Sequence, residues 1–279
     1  MIKSHSKINL FLKVLKKNKN GLHNIQSSVM LLDLHDEISV NVINKDKDKI
    51  EFVGRFKKNI NKKINSIFNS LSLLRKHNLI DQKKKYKIVV NKKIPVFAGL
   101  GGGTSNAVFL IKYFLKNKVS NKLLTIFEKE IGSDFRLFFL NHSFQKSLKN
   151  IVKIKKKYAF YFAIVYPNIS SSTKEVYSKV TKFDLPLKSD LSKILSKSKY
   201  IEFIKNENND LQEIVEKKYK KIKAILNLIK LQKNCLFSRM TGSGSVCFGI
   251  FLERRSAILG LKIIKKKLPN YWCILAKSI

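Results

Sequence analysis

Four of the five positions from Gly99 to Gly103 are glycine, and an apolar helix is expected directly after them, over Ser105–Lys116. The full segment reads Pro95-Val96-Phe97-Ala98-Gly99-Leu100-Gly101-Gly102-Gly103-Thr104-Ser105-Asn106-Ala107. Each glycine costs backbone entropy, so the run is excessive for a plain turn capping a helix, which is the bland alternative. Without Cβ atoms, consecutive N–H groups can approach a ligand closely. The helix N-terminus adds unpaired donors and the positive end of its dipole. Together these features make a phosphate cradle, and Thr104 and Ser105 add hydroxyls suited to phosphate oxygens or a magnesium ion. Two familiar loops are excluded. A Walker A loop needs Gly-Lys-Ser/Thr, and no lysine follows Gly103. The dinucleotide fingerprint needs a third glycine where Thr104 stands.

The remaining chain must fold around that loop. At 279 residues with 44% hydrophobic content it can form two domains with real cores. Its longest apolar run, Tyr158–Pro167, is too short to span a bilayer and reads as a buried strand. No signal-peptide hydrophobic region can be drawn near Met1. Cys235, Cys247 and Cys273 are an odd number without close pairing, so neither a disulfide framework nor a zinc site is indicated, and reduced thiols in a cytoplasm are expected.

The formal charge is +38, from 57 Lys and Arg against 19 Asp and Glu. Such a surface attracts polyanions and steers phosphorylated ligands toward the protein. Nucleic-acid binders usually concentrate charge in a patch or tail. Here Lys is spread along nearly the whole chain beside abundant Ile and Asn, the composition an AT-rich genome encodes. No specific nucleic-acid partner and no membrane association are therefore assigned.

Strands are expected over Ser6–Leu15, Ser27–Leu34, Glu37–Val42, Tyr86–Val90, Ala159–Tyr166, Val246–Leu252 and Trp272–Lys277. Helices are expected over Ile60–Asn78, where Ile60, Ile64, Ile67, Phe68, Leu71 and Leu74 recur at helical spacing, and over Ser256–Lys267. Asp210–Gln232 reads as one or two more helices. The class is mixed α and β.

The glycine segment resembles the ATP loop of the GHMP kinases, the superfamily of galactokinase, homoserine, mevalonate and phosphomevalonate kinases. Three further segments match in order along nearly the whole chain. They are Ser6-Lys7-Ile8-Asn9-Leu10-Phe11-Leu12, Gly21-Leu22-His23-Asn24-Ile25-Gln26-Ser27 and Arg239-Met240-Thr241-Gly242-Ser243-Gly244-Ser245-Val246-Cys247-Phe248. Within the superfamily the match points to the kinases acting on a cytidine-diphosphate-linked methylerythritol in non-mevalonate isoprenoid synthesis. The resemblance implies an α+β, two-domain fold with ATP and substrate in the cleft between domains. An ATP-binding domain would span 1–155 and a ferredoxin-like substrate domain 156–279, with the boundary in a lysine-rich stretch.

The resemblance also implies residue roles. Pro95, Ala98, Gly99, Leu100, Gly101, Gly102, Gly103, Thr104 and Ser105 would bind ATP, with Mg2+ as its companion and no protein-borne metal site. Asp134, in Ile131-Gly132-Ser133-Asp134-Phe135, would accept the hydroxyl proton, a contribution of about 10²–10⁴-fold for a general base. A helix cap is the plainer reading of Ser133-Asp134. Lys7 would keep Asp134 ionised and neutralise charge on the phosphoryl group. Asn9, two residues on, faces the same side of the strand. His23 would read the cytosine edge, Tyr177 would stack on the ring, and Thr173 would support the diphosphate or sugar. Asn209-Asp210-Leu211 resembles a segment packing near the site.

Three features depart from the pattern. Leu22 replaces a tyrosine, removing aromatic stacking worth about 1–3 kcal/mol. Asn106 stands where aspartate is common, removing a carboxylate that would touch magnesium or ribose. The stretch Asn141–Lys157 lacks the expected glycines. A kinase acting on homoserine, mevalonate or a sugar, and a non-catalytic basic RNA-binding protein, stay open as alternatives. A monomer or homodimer is expected.

Overall fold

The strand predicted over Ser6–Leu15 divides into β1 (Ile2–Asn9) and β2 (Lys13–Lys17). Between them the consecutive residues Leu10, Phe11 and Leu12 are all buried, which the two-sided alternation of a half-exposed strand does not allow. The strands predicted over Ser27–Leu34 and Glu37–Val42 merge instead into one of 21 residues, β3 (His23–Ile43). The polar pair His35-Asp36 reads as a break in sequence, yet the Asp36 carboxylate sits fully buried with a lysine partner supplied from elsewhere.

The computed structural model describes residues 1–58, 60–61, 65–194 and 196–279. They form two units interleaved along the chain. The first comprises Met1–Ser6, Leu34–Val96 and Gly101–Phe139, and the second Lys7–Asp33, Phe97–Leu100 and Leu140–Ile279.

In the first unit, Glu37–Ile43 of β3 pairs antiparallel with β5 (Lys85–Asn91), and β5 pairs parallel with β4 (Lys49–Val53). Helices α1 (Ser66–Lys76), α2 (Gly102–Phe114) and α3 (Asn121–Ile131) complete it. Ile38, Ile67, Leu71, Tyr86, Ile88, Val90 and Leu110 share one core. Helix α1 begins later than its periodicity predicts because Asn65 caps it, accepting from Ile67 N–H (3.1 Å) and Phe68 N–H (3.0 Å). Ile64 lies outside the described residues. Helix α3 lies outside the helices expected from the sequence, although Leu123, Leu124, Phe127 and Ile131 recur at helical spacing within it; Phe127 is its buried residue.

In the second unit, the first part of β3 pairs with β2 and with β6 (His142–Gln145), which pairs in turn with β7 (Ile151–Lys153). Downstream, β8 (Tyr161–Tyr166), β9 (Phe237–Met240), β10 (Cys247–Phe251) and β11 (Trp272–Lys277) form an antiparallel sheet in the order β11-β8-β10-β9. Its helices are α4 (Thr173–Ser178), α5 (Lys197–Asn206), α6 (Gln212–Lys218), α7 (Lys221–Lys230) and α8 (Arg254–Lys267). Helix α7 precedes β9 and α8 precedes β11, and both pack on the sheet. This is the βαββαβ arrangement of a ferredoxin-like layer, as the resemblance implies. Ala163, Val165, Cys247, Phe251 and Cys273 face Ile222, Ile225, Ile229, Leu261 and Ile264 in one core. Two of the three unpaired cysteines are thus buried there, and burial pushes the Cys247 thiol far up. Among the described residues no helix is long and apolar enough to cross a membrane.

One carboxylate ties α1 to the sheet of the first unit. Asp48 accepts from Arg75 through both oxygens (2.5 and 2.9 Å) and from Tyr86 N–H (2.8 Å). Asp48→Ala leaves these partly buried donors unpaired, and a loss of about 1–3 kcal/mol in unfolding free energy is expected in urea titrations.

Candidate active site

In the second unit, the glycine loop is held by backbone rather than by side chains. Ala98 C=O accepts from Val246 N–H (3.1 Å), and Phe97 C=O accepts from Ser171 N–H (2.9 Å). Leu100 C=O accepts from Lys7 N–H (3.0 Å), and Thr241 Oγ1 donates to Gly99 C=O at 3.4 Å. Gly99 adopts φ +83°, and any Cβ there would collide with the Thr241 carbonyl. Gly101, at φ +69°, turns the chain into α2 as its N-cap. These positions require glycine for conformation and close approach alike.

In the first unit, α2 starts inside the glycine run rather than at Ser105. Its first intrahelical bond runs from Ser105 N–H to Gly101 C=O (2.9 Å), leaving the amides of Gly102, Gly103 and Thr104 ahead of the helical ladder. Gly102 is buried, but Gly103 is exposed and Thr104 half-buried, so the turn faces outward from Gly103 on. Ser105 faces inward. Fully buried, its hydroxyl donates to His5 C=O (2.6 Å) and meets Ser4 Oγ at 2.7 Å. Asn106 is also buried, at 1% exposure, and its amide bonds Ser4, Asp36 and Lys92. It therefore replaces no carboxylate directed at magnesium or ribose, because position 106 points into the interior.

Lys7 and Asn9 lie on the same side of β1, as strand periodicity predicts. The Lys7 ammonium donates to Asn9 Oδ1 (2.5 Å), and Asn9 Nδ2 donates to Ser27 Oγ (2.8 Å). Asn9 N–H donates to Thr241 Oγ1 (2.9 Å). A Cβ on Gly242 would lie 3.3 Å from Lys7 Nζ, Asn9 Oδ1 and Gly99 C=O alike. Thus the first and last matched segments and part of the glycine loop converge within the second unit. Asn209 adds to this knot by donating from Nδ2 to the carbonyls of Met240 and Gly242, each at 2.8 Å. Asp134 belongs to the first unit, on the partly exposed turn after α3, where its backbone carbonyl accepts from Leu137 N–H (3.1 Å).

His23 and Tyr177 come together, with ring centroids 5.1 Å apart. Burial, with the charge of Lys17, holds the His23 imidazole below its usual pKa, so it stays neutral at pH 7 with one donor and one acceptor nitrogen. Phe183 joins them, 6.3 Å from His23 and stacked at 26°. Sequence reasoning missed it, since an isolated aromatic between Lys182 and Asp184 carries no periodic or motif signal. Leu22 is 49% exposed and Phe183 47%. Phe183 is thus a part-exposed ring beside His23, brought there from a position distant in sequence. Thr173 is exposed on α4 and its Oγ1 lies 2.9 Å from Ser243 Oγ, joining it to the C-terminal glycine motif.

The segment holding Phe183 is fastened by an ionic cluster. Asp184 N–H donates to Val14 C=O (2.8 Å), and the Lys13 ammonium contacts Asp184 (2.6 Å) and Glu207 (3.1 Å). Asp210 accepts from Val14 N–H (2.6 Å). Burial, opposed by the Val14 bond and reinforced by Asp184, pushes the Asp210 carboxyl up to about 6.

Two family models match the chain: the GHMP kinases N terminal domain over residues 65–134 and the GHMP kinases C terminal model over residues 193–270. The 4-diphosphocytidyl-2-C-methyl-D-erythritol kinase of Pelagibacter ubique is 39% identical over 287 residues, covering 100% of this chain and 98% of the relative. The chain belongs to the GHMP kinases. The enzyme of the same name from Wolbachia pipientis is 32% identical, covering 97% of this chain and 96% of its own length. In fold, the chain matches a crystal structure of 4-(cytidine 5'-diphospho)-2C-methyl-D-erythritol kinase with a TM-score of 0.73 at 19% identity, covering 98% of both chains. These relatives place the chain on the cytidyl branch of the GHMP kinases and do not favour the homoserine, mevalonate, sugar or RNA-binding alternatives.

The raised Asp210 carboxyl makes the stability of this GHMP kinase pH-dependent. A carboxyl whose folded pKa of about 6 exceeds its unfolded value of 3.8 binds a proton preferentially in the folded state. Its contribution is fully present below pH 3.8 and is lost as pH rises through about 6. Asp210→Asn should therefore gain stability relative to the wild type between pH 4 and 6, read as a widening Tm difference in thermal scans across that window.

Proposed function

We propose that this chain phosphorylates the 2-hydroxyl of 4-diphosphocytidyl-2-C-methyl-D-erythritol with ATP, in isoprenoid precursor synthesis. One observation carries the reading: the outward-facing first turn of α2, with its glycine loop, accompanies a His23–Tyr177–Phe183 aromatic group in a chain matched end to end by the cytidyl branch. A phosphate cradle and a planar-ring binder are what a nucleotide-linked alcohol and ATP together require.

Residues 1–155 carry the ATP loop, and the ferredoxin-like layer in 156–279 contributes Tyr177 and the Gly242–Ser245 loop. The amides of Gly102, Gly103 and Thr104, with the positive end of α2, bind phosphate oxygens. Gly99 and Gly101 shape the cradle, while Pro95, Ala98, Leu100 and Ser105 fix it from the buried side. Neutral His23 hydrogen-bonds the cytosine edge, and the rings of Tyr177 and Phe183 offer stacking faces. Asn9 orients the alcohol, and Thr173 supports the diphosphate or sugar.

Asp134 takes the proton from the attacking hydroxyl, and the Lys7 ammonium offsets negative charge on the transferred phosphoryl group. Among the described residues no group of three or more His, Cys, Asp or Glu is placed to hold a metal ion. Thr104 would offer a protein oxygen to a magnesium ion carried on the nucleotide phosphates. A magnesium ion held there would neutralise charge on the phosphates.

The unpaired thiols fit a reducing cytoplasm. The dispersed positive charge steers the anionic substrates without forming a nucleic-acid surface. A monomer or homodimer suffices, since all the roles assigned fall within one chain.

The test is ADP release with magnesium ATP and the cytidyl substrate against homoserine, mevalonate and galactose. Turnover with the cytidyl substrate alone is expected, and turnover with another alcohol overturns the substrate. Asp134→Asn should lower kcat by about 10²–10⁴-fold while MgADP binding persists in calorimetry. Phe183→Ala should raise KM for the cytidyl substrate by about 5- to 150-fold, the equivalent of one lost stacking face, and leave KM for ATP unchanged.

A further inference from the structure

The polar network beneath α2 takes no part in the chemistry described above, yet it is the most completely buried ionic group in the first unit. Asp36 is 0% exposed, Asn106 1% and Lys92 3%. Lys92 Nζ donates to Asp36 Oδ2 and, at 3.0 Å, to Asn106 Oδ1. Asn106 Nδ2 donates to Asp36 Oδ2 (3.0 Å) and Ser4 Oγ (2.9 Å). Asp36 Oδ1 accepts from Lys93 N–H (2.7 Å) and Ile94 N–H (2.9 Å).

The placement of these bonds along the chain is informative. Lys93 and Ile94 immediately precede the segment that opens at Pro95. Asn106 lies on α2, three residues after Gly103, the last glycine of the run. One carboxylate therefore grips the chain on both sides of the glycine run, with Oδ1 on the segment just after β5 and Oδ2 on α2. Lys92 braces the grip, and a Cβ built on Gly102 would lie 3.4 Å from its ammonium.

Stability alone is a poor reason for such a group. Burial opposes the Lys92 charge and lowers its pKa even beside Asp36. A buried ion pair can often be replaced by apolar side chains without loss of stability. What apolar side chains would not reproduce is directional bonding that sets the separation of two backbone segments.

We propose that Asp36, braced by Lys92 and Asn106, is a positioning clasp that sets the width of the glycine loop and so the spacing of its phosphate-binding amides. The inference rests on the reading of that loop as the nucleotide site. Asn106 is the correct residue for the clasp, because its amide can donate to Asp36 and accept from Lys92 at once. An aspartate there would place a second carboxylate against the first.

Two single variants and their combination test this. Asp36→Asn turns an amide donor toward Lys92 and Asn106, and Asn106→Asp opposes two carboxylates. Together they restore one carboxylate, one amide and one ammonium with the first two exchanged. In calorimetry with MgADP, each single variant should bind about tenfold or more weakly, and the double variant should return to within about threefold of wild type. KM for the cytidyl substrate should stay near the wild-type value in all three. A merely structural role would lower Tm without this selective loss and rescue. A folded single variant that binds MgADP within about twofold of wild type overturns the clasp.

Hydrogen exchange on the wild type gives a measurement independent of variant folding. The amides of Lys93 and Ile94 should exchange as slowly as the β5 core, and fast exchange there overturns the clasp as well. Failure of the wild type itself to bind MgADP, with those amides still protected, would instead overturn the loop as a nucleotide site.

Discussion

Backbone amides at the start of a helix bind phosphate only if the chain leading into the helix is held so that they point outward and stay apart. On the proposed reading of the loop, that requirement bears on everything around Gly99–Gly103. The loop has little side-chain substance of its own, so it must be held by what lies beneath and beside it. In the second unit, backbone bonds from Lys7, Ser171 and Val246 hold Phe97–Leu100. In the first, Asp36 takes the entry and exit segments together. The length of β3 follows from the same need, since an uninterrupted strand carries Asp36 into the interior under α2.

The second consequence concerns the substrate side. Thr241 accepts from Asn9 N–H and donates to Gly99 C=O, so a residue of the C-terminal motif joins the first strand to the glycine loop. Asn209 holds the same turn through two carbonyls. Segments more than 200 residues apart in sequence are thereby drawn into one hydrogen-bonded group, with Lys7 and Asn9 at its edge. The aromatic group depends on a comparable device. Phe183 lies in a lysine-rich loop with no core of its own, and its place beside His23 relies on Asp184 being fixed to Val14 and Lys13.

Much of this was legible without coordinates. The β11 strand and the end of α8 fall where the sequence places them, and Ile264 of α8 and Cys273 of β11 share one core. Lys7 and Asn9 share a side because side chains in a strand alternate. His23 and Tyr177, each singled out from its motif, lie with ring centroids 5.1 Å apart. The misread places have local causes. The break forecast at His35-Asp36 assumed that a carboxylate ends a buried strand, which fails once Lys92 neutralises it. Ser105 looked like a phosphate ligand because its hydroxyl follows the glycines, but the helix had already begun and turned it inward. Asn106 looked like a lost carboxylate for the same reason.

The sequence by itself determined the residue classes and their order: a glycine-rich loop before an apolar helix, the Lys7, His23 and Thr241 motifs, and alternating strands and helices. These are set by local physics, the absence of a Cβ, the 3.6-residue period and the two-residue period. Only the tertiary structure decided which hydroxyls and amides face outward, that Phe183 lies beside His23, and that Asp36 bonds the chain on both sides of the glycine run. Those outcomes depend on which distant segments share one small volume. A buried polar group must find its partner there, and no local window of sequence contains that partner.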